Sequence, residues 1–152
     1  MKKSDIVHKI RLARLAHVKW VQRAKSLVND MPIKEEDIPL TSDSCEFGKW
    51  FYLDGQILLT IFNERAVKEV EDLHNKLHDE YVNIFKIYFD LSNIGFFTRL
   101  LNNRKKVSDE EKKWAKYYLN LLEETSNALI KKLNIMETKI NMADEKLFEK
   151  YA

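Results

Sequence analysis

The sequence is poor in the residues that build disulfides and turns, with one Cys, three Gly and two Pro among 152 residues. A single Cys excludes an internal disulfide, and with it the disulfide-stapled class of secreted scaffold. So few Gly and Pro residues supply neither the turns of a β-sandwich or barrel nor the Gly-rich loop of a nucleotide-binding α/β fold. The composition therefore predicts an all-α protein with a single domain over residues 1–152.

The chain also lacks a charge excess of one sign and any long apolar run. Its 26 Lys and Arg residues nearly balance 24 Asp and Glu residues, which leaves no strong basic field and predicts no nucleic-acid partner. No segment approaches the ~20 apolar residues of a membrane helix, so we expect a cytoplasmic protein without membrane insertion. The basic residues of the first helix would suit an anionic membrane surface, although the solvated face of a bundle helix explains them more simply.

Apolar residues at alternating steps of three and four predict three long helices. The first helix, capped by Ser4, has the stripe Ile6, Ile10, Ala13, His17, Trp20, Ala24 and Leu27. The second, from Asn63 to about Asp90, has the stripe Val67, Val70, His74, Leu77, Tyr81, Ile84 and Tyr88. The third has the stripe Leu129, Leu133, Met136, Ile140, Ala143 and Leu147. Helices with one apolar face each must pack together, and the simplest architecture for this chain is an antiparallel four-helix bundle.

The last helix is predicted to be long. Ser108 and Glu111 have the spacing of a capping box at its start. A helix over about residues 108–150 would span roughly 65 Å, which is more than a small bundle needs. Either its end frays or the overhang packs against a second copy or a partner, and the near-heptad seam from Leu129 to Leu147 makes a homodimer the expected assembly.

A short extra helix is expected in the connection that precedes the second long helix. Two Pro residues and an acidic cluster mark residues 29–44 as a loop. The short helix then runs through Phe51 and carries Cys45 at its start, where free amides and the helix dipole are expected to lower the pKa of the thiol. Its cap is predicted among three polar residues, Ser42, Asp43 and Ser44.

The metal-binding side chains are few, and most of them fit one site. His74 and His78 are four residues apart, so both imidazoles project from one helical face and can hold one ion. His17 lies in the core stripe of the first helix, whereas His8 falls on the opposite face of that helix and is excluded. Taken singly, each candidate is compatible with an ordinary structural role. Together, three imidazoles and the Cys45 thiolate form a complete tetrahedral set for Zn²⁺.

These positions stand in three local patterns: His17-Val-Lys-Trp20, Cys45-Glu-Phe47-Gly48-Lys-Trp50, and His74-Asn-Lys-Leu-His78. The segment from Ala16 to Asp79 closely resembles the chemoreceptor zinc-binding (CZB) family, whose motif is HxxW, then CxFGxW, then HxxxH. The resemblance implies four zinc ligands on three helices, namely His17, Cys45, His74 and His78. We expect four further motif residues to pack beside the metal, namely Trp20, Phe47, Gly48 and Trp50. Gly48 is expected to allow the first or third helix of the site to approach closely.

The resemblance also implies that the protein is a regulatory input module. CZB domains are commonly fused to chemoreceptor signalling domains or to diguanylate cyclases. Zinc occupancy, or oxidation of the ligating Cys by species such as hypochlorous acid, changes their output. A role in bacterial chemotaxis or cyclic di-GMP signalling is therefore expected, with Cys45 as the redox-sensitive residue. Neither a methyl-accepting coiled coil nor a GGDEF motif stands in this sequence. The output must then come from another polypeptide or from a part of a longer gene that this sequence omits, and we expect a signalling partner supplied in trans.

The proposed ligand set argues against an enzyme. A catalytic zinc usually keeps one position open for water, whereas three His and one Cys close the shell. Asn75 occupies the place of the general-base Glu in a metalloprotease HExxH motif. Glu71 and His74 form the single ExxH pair, whereas a di-iron bundle needs two.

Glu71 and Asp79 are candidates for hydrogen bonds to the imidazoles. Two other functions remain open, a passive zinc carrier or buffer and a metal-stabilised structural dimerisation bundle.

Overall fold

The computed structural model describes residues 1–33, 37–39, 41–89, 97–99 and 105–151. Its α-helices are α1 (Lys3–Val28), α2 (Glu46–Leu53), α3 (Glu64–Tyr88), α4 (Asp109–Met142) and α5 (Lys146–Glu149), and a 3₁₀ helix covers Gly55–Thr60. Two short strands, β1 (Asp37–Pro39) and β2 (Phe97–Arg99), pair antiparallel with Ile38 opposite Thr98. Apart from this pair of three-residue strands, the described elements are helices, so the all-α class is confirmed. No helix of the described residues is long and apolar enough to cross a membrane.

The bundle is built on α4, which packs against both α1 and α3. Arg11 pairs with Glu137 at 2.7 Å and Lys25 pairs with Glu123 at 3.5 Å, so α1 and α4 run antiparallel. In the described residues, α2 and the 3₁₀ helix form a short fourth component, packed against α1 and α3 respectively. The short extra helix predicted to carry the Cys motif is thus present, and it is held next to the middle of the bundle.

The apolar stripes of the sequence are the buried faces of these helices. In α1 the buried predicted positions are Ile6, Ile10, Ala13, His17, Ala24 and Leu27, with Trp20 only partly buried. In α3 they are Val70, His74, Leu77, Tyr81, Ile84 and Tyr88, with Val67 partly buried. Each stripe faces a neighbouring helix because its positions recur with the helical period. The two histidines within the stripes are therefore core residues.

The helix starts differ in part from the sequence predictions. The capping box of Ser108 and Glu111 is confirmed, with the two N–H···O contacts at 3.1 and 3.2 Å. Ser4 was the wrong cap for α1, because the helix begins at Lys3 and the Asp5 carboxylate accepts the Lys2 N–H at 2.9 Å. Neither Ser42, Asp43 nor Ser44 caps α2. That role belongs to Cys45, and α2 continues past the predicted end to Leu53.

The long C-terminal helix is confirmed, but it ends earlier than the predicted residue of about 150. Helix α4 stops at Met142 after 34 residues, about 51 Å. Ala143 adopts an extended backbone, and its carbonyl accepts a hydrogen bond from Lys3 Nζ at 2.8 Å. The short helix α5 follows, in which Phe148 is buried and Leu147 is exposed. Since Leu129, Leu133, Met136 and Ile140 are buried in the chain's own core, the homodimer stays a prediction.

Candidate metal centre

The four predicted ligands meet at one point in the structure. His17 comes from α1, Cys45 from the N-cap of α2, and His74 and His78 from α3. One ligand atom from each lies within 4.8 Å of the other three, and all four residues are at most 2% exposed. A tetrahedral zinc shell places its donor atoms roughly 3.3–3.8 Å apart, given bond lengths of 2.0–2.3 Å. The cluster therefore needs only a small contraction to close on a metal ion.

The orientation of His17 is fixed by a backbone hydrogen bond. Its Nδ1 lies 2.6 Å from the carbonyl oxygen of Ala13. A carbonyl only accepts, so Nδ1 carries the proton and the Nε2 lone pair is left for the site. That Nε2 is buried with no hydrogen-bond partner in the part of the chain that the structure describes. A metal ion at the cluster accounts for this buried acceptor, because it would supply the missing contact.

The hydrogen-bond partners suggested by the sequence are not those found at His17. Glu71 lies 3.3 Å from Lys68 on its own helix, and the side chain of Asp79 is exposed. The partner of His17 is the carbonyl of Ala13, one helical turn earlier. The sequence does contain a signal for this hydrogen bond. His17 stands four residues after Ala13 in the same buried stripe, so the Ala13 carbonyl lies one turn below the imidazole.

Cys45 is held by three contacts around its sulfur. The N–H of Gly48 donates to Sγ at 3.2 Å, the thiol donates to the Ser42 carbonyl at 3.3 Å, and His74 Nε2 lies 3.3 Å away. Burial raises the pKa of the thiol to about 11 and outweighs the lowering by the Gly48 N–H. The predicted lowering of this pKa by the helix start is thus wrong for the metal-free protein, because loss of solvent disfavours the thiolate more than the amides stabilise it. A bound divalent metal would reverse this balance.

Burial also keeps the neutral form of two of the histidines, and for an imidazole this means a lowered pKa. It lowers the pKa of His17 to about 4 and the pKa of His74 to about 2, with His78 contributing to the lowering at both. Both imidazoles are therefore neutral near pH 7, which is the form that binds metals. The site can accept a cation without first losing protons from these two residues.

We predict that zinc uptake near pH 7.5 releases about one proton per ion from Cys45, because its thiol is protonated, whereas His17 and His74 are neutral and release none. Titration calorimetry in buffers of different ionisation enthalpy measures this number, and the apparent affinity should rise about tenfold per pH unit. A Cys45→Ala variant provides the control, since it should release about one proton fewer per ion than the unmodified chain. Zinc uptake without proton release by the unmodified chain would show that the thiol is already ionised.

Aromatic rings pack edge-on against the imidazoles. The ring of Trp20 lies 4.9 Å from that of His17 and 5.0 Å from that of His78, measured between centroids. Phe47 lies 5.0 Å from the ring of His74. Trp50 is buried behind Phe47, at 5.8 Å. These contacts restrict the rotation of the imidazoles and exclude water from the cluster.

Gly48 allows a close approach, but its neighbour is not the one predicted. A Cβ atom at this position would lie 1.7 Å from the carbonyl oxygen of Ser42 and 2.8 Å from its carbon. The segment that needs the space is therefore the loop entering α2, and not α1 or α3. The same Ser42 carbonyl accepts the Cys45 thiol, so the missing side chain of Gly48 lets the loop close over the ligand.

The donor set decides what this arrangement can do chemically. A soft thiolate with imidazole nitrogens suits a tetrahedral transition metal, and four protein donors leave no coordination position for water. Within the described residues, these are the side chains whose grouping could hold a metal ion. The buried cluster of three His and one Cys thus points to a closed metal site.

Comparison with known proteins gives one family. The model of the chemoreceptor zinc-binding domain matches residues 17–85, a segment that contains all four clustered residues. Searches of curated proteins and of solved structures found no match. The matched segment runs from His17 on α1 through α2 to Phe85 on α3, which are the elements that meet at the metal centre. Residues 17–85 of this chain therefore belong to the chemoreceptor zinc-binding domain family.

Proposed function

We propose that the chain is a regulatory zinc-binding module that controls a partner protein in bacterial signalling, of the chemotaxis or cyclic di-GMP type. One observation carries the proposal, namely that three separate elements bring four ligand atoms within 4.8 Å of one another in the core. A metal bound there would join α1, α2 and α3. Its presence or absence would then change how these helices are held together.

Zinc is the metal that best suits these donors. Three neutral imidazoles and one thiolate are a closed tetrahedral set of the kind found at structural zinc sites. His17, Cys45, His74 and His78 would hold the ion, which supplies a fixed positive charge and four bonds. The remaining charge of the site would be about +1, since only Cys45 contributes a negative ligand.

A regulatory role fits this site better than a catalytic role. Four protein ligands leave no open position at which a water or substrate could be activated. Each of the four ligand residues also has at most 2% of its surface exposed. A site of this kind acts through the stability and position of its helices. It is therefore suited to bias a conformational equilibrium, which is what a signalling input requires.

The element that responds to the metal is α2. This helix has eight residues, and Cys45 at its N-cap is its one ligand in the cluster. Breaking the bond to sulfur would release α2 while His17, His74 and His78 remain on long helices. Hypochlorous acid would do this by transferring its OH group to the Cys45 thiolate. A sulfenic acid forms and chloride leaves, with sulfur oxidised by two electrons and chlorine reduced by two.

A pull-down with the zinc-loaded and the chelator-treated chain tests this function. We expect a signalling protein recovered from the bacterial source to depend on zinc, with a change of at least about fivefold in recovery. The Cys45→Ala variant should behave like the chelated chain under both conditions, and His8→Ala should behave like the unmodified chain. Equal recovery with and without zinc would contradict regulation and favour the two other functions, a zinc carrier or a metal-stabilised structural bundle.

A further inference from the structure

An apolar groove runs along α1 directly beside the metal centre. It encloses about 540 Å³ between α1 and the first turn of α2. Its apolar lining includes Leu12, Leu15, Ala16, Trp20, Phe47 and Trp50. Along α1 the groove extends from Lys9 to Arg23, which is about 21 Å or four helical turns. A groove of this length fits a helix better than it fits a small ligand.

The α1 side of this groove extends the apolar surface of the helix beyond the buried stripe, starting from Trp20, the partly buried member of that stripe. Leu12 is 46% exposed and Leu15 is 60% exposed, although both are large apolar residues. With Ala16 and Trp20 they recur at steps of three, one and four, so they lie along one side of the helix. Clustered exposed apolar side chains of this kind mark interaction sites more often than ordinary surface.

The charges along the groove select the kind of partner. Lys9 and Lys19 line it from α1, whereas Glu46 is the acidic lining residue within the described chain and pairs with Lys49 at 3.0 Å. The rim is therefore positive. A second copy docked through the same face would bring the two sets of cations together, which is unfavourable. An acidic helix would instead meet opposite charge along the α1 wall of the groove.

We propose that this groove docks an amphipathic helix with acidic flanks from the signalling partner, and that the metal controls the groove. This inference rests on the proposed regulatory function and names the partner's recognition element. His17 and Cys45 both line the groove, one on each wall. A metal bound by both residues fixes the distance between α1 and α2. Loss of the bond to Cys45 frees one wall, so helix docking and metal binding are coupled.

Fluorescence anisotropy with a labelled synthetic peptide tests the proposal. The designed probe is a helix of eighteen residues that has Leu at every third or fourth position and Glu beside each Leu. The zinc-loaded full chain should bind it, and chelation should weaken binding at least about fivefold. Leu15→Asp should weaken binding about tenfold, since one buried Leu is lost from the contact. Leu53→Asp is the matched control, because Leu53 is 79% exposed and lies outside the lining. It should leave the affinity unchanged.

Further measurements distinguish helix docking from self-association and from binding to a membrane surface. A peptide with Lys in place of Glu should bind at least about tenfold more weakly, and the double change Lys9→Glu, Lys19→Glu should reverse that preference. Equal binding of both peptides would overturn the proposal. A dimer in sedimentation that Leu15→Asp dissociates would also overturn it, as would Leu15-dependent binding to anionic phosphatidylserine vesicles.

The Leu15→Asp variant should retain stoichiometric zinc. Peptide binding that is identical with and without zinc would overturn the control by metal and the regulatory function, but not the docking surface.

Discussion

Replacing His74 and His78 together by alanine is expected to abolish stoichiometric zinc binding and the thermal stabilisation that zinc provides. The two imidazoles are half of the cluster, and their rings are 4.8 Å apart on consecutive turns of α3. The two remaining ligands, His17 and Cys45, fill only half of a tetrahedral shell and would hold zinc far more weakly. The variant should therefore unfold at the same temperature with and without zinc, which differential scanning calorimetry measures.

The expected size of this effect follows from linkage. An ion that binds only the folded chain adds about 4 kcal/mol to the free energy of unfolding when its free concentration is about 1,000 times its dissociation constant. For a domain of this size, that corresponds to an increase of roughly 8–16 °C in Tm. The unmodified chain should show this increase, and the double variant should show none.

His8→Ala is the matched control for the double variant. His8 is exposed on α1 and lies outside the cluster. Its replacement should leave both the zinc content and the zinc-dependent rise in Tm unchanged. Retention of one zinc per chain by the His74, His78 double variant would show that the metal is bound elsewhere.

A Gly48→Ala substitution is expected to have the second large effect. Its Cβ would lie 1.7 Å from the Ser42 carbonyl oxygen, and the contact is with backbone that no rotamer change can move aside. Either α2 or the loop entering it must shift. We expect a loss of about 3 kcal/mol in the free energy of unfolding, at the upper end for overpacking, and a loss of at least about tenfold in zinc affinity, since Cys45 would be displaced.

Gly55→Ala provides the comparison for this substitution. A Cβ at Gly55 would meet its nearest neighbour, the ring of Phe51, at 3.5 Å, an ordinary van der Waals contact. The same chemical change should therefore alter stability by less than about 1 kcal/mol. Urea unfolding and a zinc competition assay on both variants measure the two effects. Equal results for Gly48→Ala and Gly55→Ala would contradict the close approach of Ser42.

The buried face of each long helix could be predicted, because the spacing of apolar residues along one helix determines it. The stripes that include Ile10 and Leu77 are buried, as predicted. They could be predicted because a residue's place on a helix face follows from local spacing alone. The end of α4 was missed because it depends on contacts between distant parts of the chain. Lys3 donates to the Ala143 carbonyl, and Phe148 replaces Leu147 in the core. The apolar spacing continues through this turn and gives no sign of it.

The site was predicted in its residues but not in its electrostatics. The motif brought His17, Cys45, His74 and His78 together, and the structure places them in one cluster. The pKa of Cys45 was assigned the wrong direction, because the helix start is visible in a sequence whereas the extent of burial is not. The role of Gly48 was assigned to the wrong neighbour for a similar reason. A glycine indicates that space is needed, but only the fold shows which segment fills it.

X-ray absorption at the zinc edge of the purified, zinc-loaded chain tests the central claim most directly. If His17, Cys45, His74 and His78 hold the ion, the spectrum should fit about three nitrogen donors at 2.0–2.1 Å and one sulfur donor at about 2.3 Å. A Cys45→Ala variant should lose the sulfur contribution and keep the nitrogen contribution. A shell of oxygen donors without sulfur, or a chain that does not retain zinc, would contradict the account.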